Sequence, residues 1–216
     1  MTVAGFDRER LETALVTVNA ARSLDPGSSR RVEGLLRGLE DILAAERGSA
    51  DRDRDGARAL AELDRLLAGV GSESDAVQVR EFLEPIVDRL IDALLGRPDQ
   101  RLASYGSLRP GEVNHHQVGA IVGTWSPATV RGVFHASGGD PTRGFPGVEW
   151  RPEGAELPLQ IFESLALPAH WDRLDAFEGP GYRRVLVTLD TDTEPKVANM
   201  YEILRPPIAG AQETST

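Results

Sequence analysis

The stretch Ser104-Tyr105-Gly106-Ser107-Leu108-Arg109-Pro110-Gly111 carries the clearest chemical potential in this 216-residue chain. Two glycines, a proline and a serine after the apolar lead-in Leu102-Ala103 predict a tight turn. Such a turn can aim several backbone N–H groups at one point, the usual way to hold a carboxylate or an oxyanion. The plain alternative is a β-turn with no ligand. Ser107 has no identified histidine partner and does not stand in a Gly-x-Ser-x-Gly elbow, which argues against a covalent serine.

Other chemistries are excluded or weakened by what the chain contains. It has no cysteine, so disulfides, thiolate metal sites and a cysteine nucleophile are ruled out, in keeping with a reducing cytoplasm. Lys196 is the single lysine, and no Walker-type or Gly-x-Gly-x-x-Gly motif occurs, so nucleotide chemistry is not expected. A formal net charge of -10, with acidic residues in excess in both halves, argues against nucleic acid or an anionic membrane as partner. The N-terminal residues are charged where a signal peptide needs an apolar core, and no run is long enough to span a membrane. His115-His116 does not suit a metal, because adjacent side chains diverge on a strand or a helix alike. No metal site is expected. Asp51, Asp53, Asp55, Gly56 and Glu62 match the spacing of an EF-hand calcium loop. Arg58 in an apolar position, and Arg52 and Arg54 between the ligands, favour a solvated loop whose Asp55 caps a helix.

The elements that must position the turn fall into two textures. Residues 1–97 read as helices. Leu11, Ala14, Leu15 and Val18 form one face. After the Asp25-Pro26-Gly27 break, Val32, Leu35, Leu36, Leu39, Ile42 and Leu43 form a second stripe, with Ser28 or Ser29 as cap. Leu60, Leu63, Leu66, Leu67 and Val70 mark a third helix. A fourth, about 74–95, presents Val79, Phe82, Leu83, Ile86, Val87, Leu90, Ile91, Leu94 and Leu95, and Pro85 predicts a kink or a restart. Four such helices can form an antiparallel bundle. With Phe6 and Phe82 as its only aromatics, this half reads as a packing, homodimerisation or partner-binding module, or a lid.

From residue 101 the prolines and short β-type runs take over. Candidate strands are 120–125, 129–135, 147–151, 157–162, 183–190 and 196–204, with one helix at 168–177 whose Leu174 and Phe177 pack inward. This predicts an α+β domain built on a small barrel or curled sheet. Asp140 to Gly147 reads as a loop at a pocket mouth, and 206–216 as a flexible tail.

The order of motifs in this half resembles the gamma-glutamylcyclotransferase-like family. Tyr105-Gly106-Ser107-Leu108-Arg109-Pro110-Gly111 is followed by Asn114-His115-His116, Val130-Arg131-Gly132-Val133-Phe134 and Gly144-Phe145-Pro146-Gly147. Then come Leu174-Asp175-Ala176-Phe177-Glu178-Gly179, Tyr182-Arg183-Arg184-Val185 and Ala198-Asn199-Met200-Tyr201. The resemblance covers about 101–205 and leaves the helical half outside. It implies a compact β-barrel with flanking helices, preceded here by the all-α bundle. It implies cleavage of a small γ-glutamyl amide by cyclisation, releasing 5-oxoproline and an amine, with no metal or organic cofactor. The turn Tyr105–Leu108 would hold the glutamyl unit and Glu178 would transfer protons.

That reaction is attack by the substrate's own α-amine on its γ-carbonyl, so no protein nucleophile is needed. The protein must fold the substrate, move a proton and stabilise an oxyanion. One carboxylate can serve both proton steps if burial raises its pKa toward neutrality. Glu178, after Leu174 and Phe177 at a helix end, suits this, the plain alternative being a surface ion pair with Arg183 or Arg184. The N–H groups of Gly106, Ser107 and Leu108 would bind the substrate α-carboxylate. Tyr182 and Tyr201 are either phenol donors into the pocket or buried structural tyrosines. Arg109 either meets a substrate carboxylate or lies on the surface, and Asn114 is expected to cap the turn after it. A non-catalytic binding or interaction module on the same fold is the alternative to an enzyme.

Overall fold

The computed structural model describes residues 2–3, 6–45, 73–136 and 146–204, with the side chains of 2–3 and 73–81 left aside. The expected third helix, the calcium-like loop at Asp51–Glu62, residues 140–145 of the mouth loop and the tail lie outside these residues. Two compact units emerge. One is formed from residues up to Pro98 with Thr193–Val197, the other from Asp99–Asp192 and the chain from Ala198 onward.

The first unit begins with a two-stranded antiparallel pair, β1 (Thr2–Val3) and β2 (Phe6–Asp7). Helix α1 (Arg8–Arg22) follows directly, with Asp7 as its N-cap accepting from the Arg10 amide. Helix α2 (Ser29–Ala45) is capped by Ser28, whose Oγ accepts from the Arg31 amide. The two helices pack closely because α2 presents glycines to α1. A Cβ on Gly34 would stand 2.7 Å from the Ala21 Cβ, and one on Gly38 would strike Val18. Helix α3 (Glu73–Leu94) runs through Pro85 without a restart. The proline ring is exposed, and the buried Leu83 and Val87 on either side of it hold the helix through that turn despite the missing N–H. Leu83, Val87, Ile91 and Leu95, four residues apart, are buried, whereas Phe82, expected in the packed stripe, is 61% exposed. Charge pairs complete the packing: Arg22 to Asp88 at 3.0 Å and Arg31 to Glu84 at 2.6 Å.

The second unit is a closed five-stranded barrel. Its strands are β3 (Arg101–Ser104), β4 (Thr124–His135), β6 (Ala155–Glu163), β7 (Tyr182–Thr191) and β8 (Lys196–Ile203), with β5 (Gly147–Trp150) attached outside the ring. The order β5-β4-β6-β3-β8-β7 closes through β4 pairing with β7 at Ala128–Thr191, Thr129–Asp190 and Val130–Leu189. Strand β4 pairs antiparallel with β6 along most of its length and with β5 at its end. The four-residue β3, expected only as a lead-in to the turn, is a strand because both its edges are taken, antiparallel by β6 and parallel by β8. Residues 120–123, expected in a strand, are the irregular lead-in to β4, which then continues through Pro127. Val185 to Leu189 are buried without alternation, as for a strand covered on both faces.

Between β6 and β7 a short 3-10 turn, Leu167–His170, leads into helix α4 (Trp171–Glu178). Leu174 is fully buried in a core with Leu102, Leu108, Phe162, Trp171 and Tyr201, and Phe177 packs at its margin. Among the described residues no helix is long and apolar enough to cross a membrane.

Candidate active site

The turn after β3 starts from a strand held on both edges, which fixes the position of Tyr105. Leu108 is buried in the core and anchors the far end of the turn. The carbonyls between them all have donors. Gly106 O accepts from the Arg109 amide at 3.4 Å and from Arg109 Nε at 3.1 Å. Ser107 O accepts from the Asn114 amide at 3.0 Å, and Leu108 O lies 2.9 Å from His115 Nδ1. The N–H groups of Gly106, Ser107 and Leu108 have no acceptor among the described residues. A turn whose carbonyls are satisfied and whose amides are not has donors free to take an anion.

Asn114, expected to cap the next turn, instead donates through Nδ2 to Ser107 Oγ at 2.8 Å, closing the loop. Arg109 braces the turn and reaches Glu112 at 3.4 Å. His115 and His116 bond to different carbonyls, those of Leu108 and Val113, so the pair does not converge.

The turn opens on a cavity of about 410 Å³. Tyr105, Gly106, Ser107, Leu108, Arg109, Glu178, Tyr182 and Tyr201, all singled out from the sequence, line it. Apolar wall is added by Val113, Phe134, Pro146 and Phe177, which single-residue reasoning did not mark. Phe134 is 52% and Val113 72% exposed, and nothing local in the sequence marks them as cavity wall, because the chain brings them together only on folding.

Glu178 is the last residue of α4. Gly179 follows with φ of 70°, a left-handed conformation that favours glycine, and its N–H returns to Asp175 O. The helix therefore ends there, and Glu178 projects from its final turn to the cavity wall. Burial, then the negative charge of Asp175, raises its carboxyl from 4.5 to about 7. The ion pair with Arg183 or Arg184 considered from the sequence is absent among the described residues. Arg183 pairs with Glu202 at 2.6 Å, and Arg184 grips Asp175 through Nε at 2.9 Å and Nη2 at 3.0 Å.

The three tyrosines serve the frame. Tyr105 OH donates to Tyr201 O at 2.8 Å, joining the turn to β8. Tyr201 OH donates to Asp175 Oδ1 at 2.6 Å, joining β8 to α4. Tyr182 OH donates to Pro146 O at 3.2 Å at the cavity mouth. Burial pushes the Tyr105 and Tyr201 phenols well above their usual range, and the charge of Glu178 adds to both shifts. They remain protonated donors at any physiological pH. Asp175 is the residue that sequence reasoning missed. Its spacing of three from Glu178 already places the two on one helix face.

The arrangement can bind an anion on backbone amides and exchange a proton near neutral pH within one partly apolar cavity. No curated protein matches the chain. Among solved structures it is similar to YkqA from Bacillus subtilis, at 27% identity over 49% of this chain and 36% of that one, with a TM-score of 0.39. The chain thus spans about a third of the Bacillus protein. An aig2-like protein from Mus musculus aligns at 15% identity over 50% of this chain and 80% of that one, TM-score 0.41. An uncharacterized protein from Pyrococcus horikoshii aligns at 22% over 50% and 80%, TM-score 0.37. The family model for gamma-glutamyl cyclotransferase, AIG2-like, matches residues 102–215, just over half of the sequence, and the chain belongs to that family.

Proposed function

We propose that this protein is an enzyme that cleaves a small γ-glutamyl amide by cyclisation. The observation that carries the reading is the convergence of two unlike groups on one cavity. The unsatisfied amides of Gly106, Ser107 and Leu108 suit the substrate α-carboxylate, and Glu178, with its carboxyl at about 7, suits proton transfer at neutral pH.

In this reading the substrate α-amine, deprotonated by Glu178, attacks the γ-carbonyl carbon. A C–N bond forms within the glutamyl unit, and the bond to the leaving nitrogen breaks. The proton held by Glu178 passes to that nitrogen, so the carboxylate is restored and 5-oxoproline and a free amine leave. No water is consumed. Holding a flexible chain so that its own ends meet is the larger share of the task, and effective molarities for such reactions are worth roughly 7–11 kcal/mol. A cavity of about 410 Å³ is of a size to enclose a glutamyl unit with part of its amine.

Incubation of the full chain with γ-glutamyl amino acids, γ-glutamylamines and glutathione, with 5-oxoproline as readout, tests the proposal. Product from at least one compound, lost in Glu178→Gln with the fold intact, supports it. No product from any of them would turn the reading to a non-catalytic binding module. Wild-type turnover by Glu178→Gln would remove Glu178 from the mechanism.

A further inference from the structure

Helix α4 has only eight residues and no side-chain N-cap. Its core anchors, Trp171 and Leu174, lie in its first half. In the last turn, from which Glu178 projects, Ala176 is exposed and Phe177 only half-buried. Packing alone therefore holds the reacting end of the helix weakly. What grips it is one carboxylate. Asp175 takes two hydrogen bonds from the Arg184 guanidinium of β7, at 2.9 and 3.0 Å, and a third from Tyr201 OH of β8 at 2.6 Å. The guanidinium carbon of Arg184 itself lies over the Trp171 ring, 4.5 Å from its centroid. The backbone of Tyr201 accepts from Tyr105 OH, so the same chain of bonds reaches the anion-binding turn.

We propose that Asp175 is a positioning residue for Glu178, a carboxylate that locks the last turn of α4 to two barrel strands and stands as a fixed negative charge beside the reacting carboxyl. The inference rests on Glu178 as proton carrier and adds how that group is held and tuned. A bidentate arginine pair with a phenol bond on the same carboxylate is strong and geometrically specific. The charged and titratable groups near Glu178 are Asp175 on α4, Tyr182 and Arg184 on β7, Tyr201 on β8, and Tyr105, Arg109 and Glu112 on the loop after β3. Of these Asp175 supplies the charge that raises Glu178 alongside its burial, and Arg184, bound to both oxygens of Asp175, offsets part of that charge.

The test is the titration of the Glu178 carboxyl, followed by carbon NMR in the ligand-free protein. Asp175→Asn removes the negative charge and leaves the arginine unopposed, so the midpoint falls toward the ordinary carboxylate range. Arg184→Gln leaves the negative charge unopposed, so the midpoint rises. A merely structural contact would not move the midpoint in opposite directions in the two variants. In a turnover assay the acid limb of the pH profile follows the same shifts, and Asp175→Asn lowers kcat by roughly ten- to a hundredfold, with less change in KM. If Asp175→Asn does not fold, Arg184→Gln alone carries the test. An unmoved midpoint in either folded variant overturns the inference. The titration needs no substrate, so it stands or falls separately from the proposed reaction, which fails instead if no γ-glutamyl compound is turned over.

Discussion

Replacing Glu178 with glutamine should stabilise the barrel at alkaline pH and leave it unchanged in acid. Folding carries this carboxyl from 4.5 to about 7, chiefly by burial. The native state therefore binds the proton more tightly than the unfolded chain does. The stabilisation that follows is fully present below about 4.5 and is lost as pH rises through about 7. A change of about 2.5 pH units at about 1.4 kcal/mol per unit gives about 3 kcal/mol. Glu178 borders an open cavity, and screening by solvent brings this nearer to about 2 kcal/mol. Glutamine keeps the shape and cannot ionise. The stability difference between variant and wild type should thus grow from about zero near pH 4 to about 2 kcal/mol near pH 8.5. Urea unfolding followed by tryptophan fluorescence measures it cleanly, because Trp125, Trp150 and Trp171 all lie in the barrel unit. A difference of any size that stays flat from pH 4 to 8.5 refutes the reasoning, for it would mean that the native carboxyl titrates like an unfolded one.

Other perturbations have distinct signatures. If Glu178 takes the first proton, kcat/KM should rise with pH through about 7, and this limb should vanish in Glu178→Gln. Leu174→Ala empties a fully buried site under α4 and should cost about 2–5 kcal/mol by urea or thermal unfolding, with turnover falling as the helix loosens. Gly123→Ala sets a Cβ 2.5 Å from both Glu163 O and the Phe162 ring, and should destabilise by about 1–3 kcal/mol. Gly106→Ala, with nothing within 4 Å of the new Cβ, should stay within about 0.5 kcal/mol in the same assay and so serves as its control. Tyr105→Phe removes the bond to Tyr201 O and should cost about 1 kcal/mol in barrel stability while slowing turnover more than it weakens substrate binding.

What could be seen in the chain before folding was set by how local the cause is. The stripes of α1 and α2 and the Leu174 anchor of α4 follow from spacing within one element, and most residues expected to be buried there are buried, with Leu36 and Leu43 only half-buried at the margin of α2. The turn at 105–111 was visible because glycine and proline dictate backbone locally. Strand β3 was not, since two apolar residues make a strand only when β6 and β8 pair with its edges. Phe82 was assigned to a packed face by periodicity alone, which cannot say how wide that face is. At the site, Glu178 was legible from its motif and its helix end. Its neighbours were not: Arg183 and Arg184 lie five and six residues away, yet one is claimed by Glu202 and the other by Asp175. Competition among carboxylates for a few arginines is decided by the barrel's geometry. Nor could the sequence say that the phenols of Tyr105 and Tyr201 spend their protons on the frame.

The parallel pairing of β3 with β8 sets Leu102 beside Asn199, and the Tyr105 to Tyr201 bond spans the same gap. The two walls of the cavity are thus made roughly a hundred residues apart during synthesis. A ribosome that has released the turn and even Glu178 has not yet released what holds them. Contacts of such long separation form late and slowly. The nascent chain therefore carries no working cavity until its last strand emerges, and its apolar walls, Phe134 and Phe177 among them, stay open to chaperones until then. A stop codon between β7 and β8 yields a chain with every proposed substrate-binding residue but Tyr201 and without the strand that holds the turn.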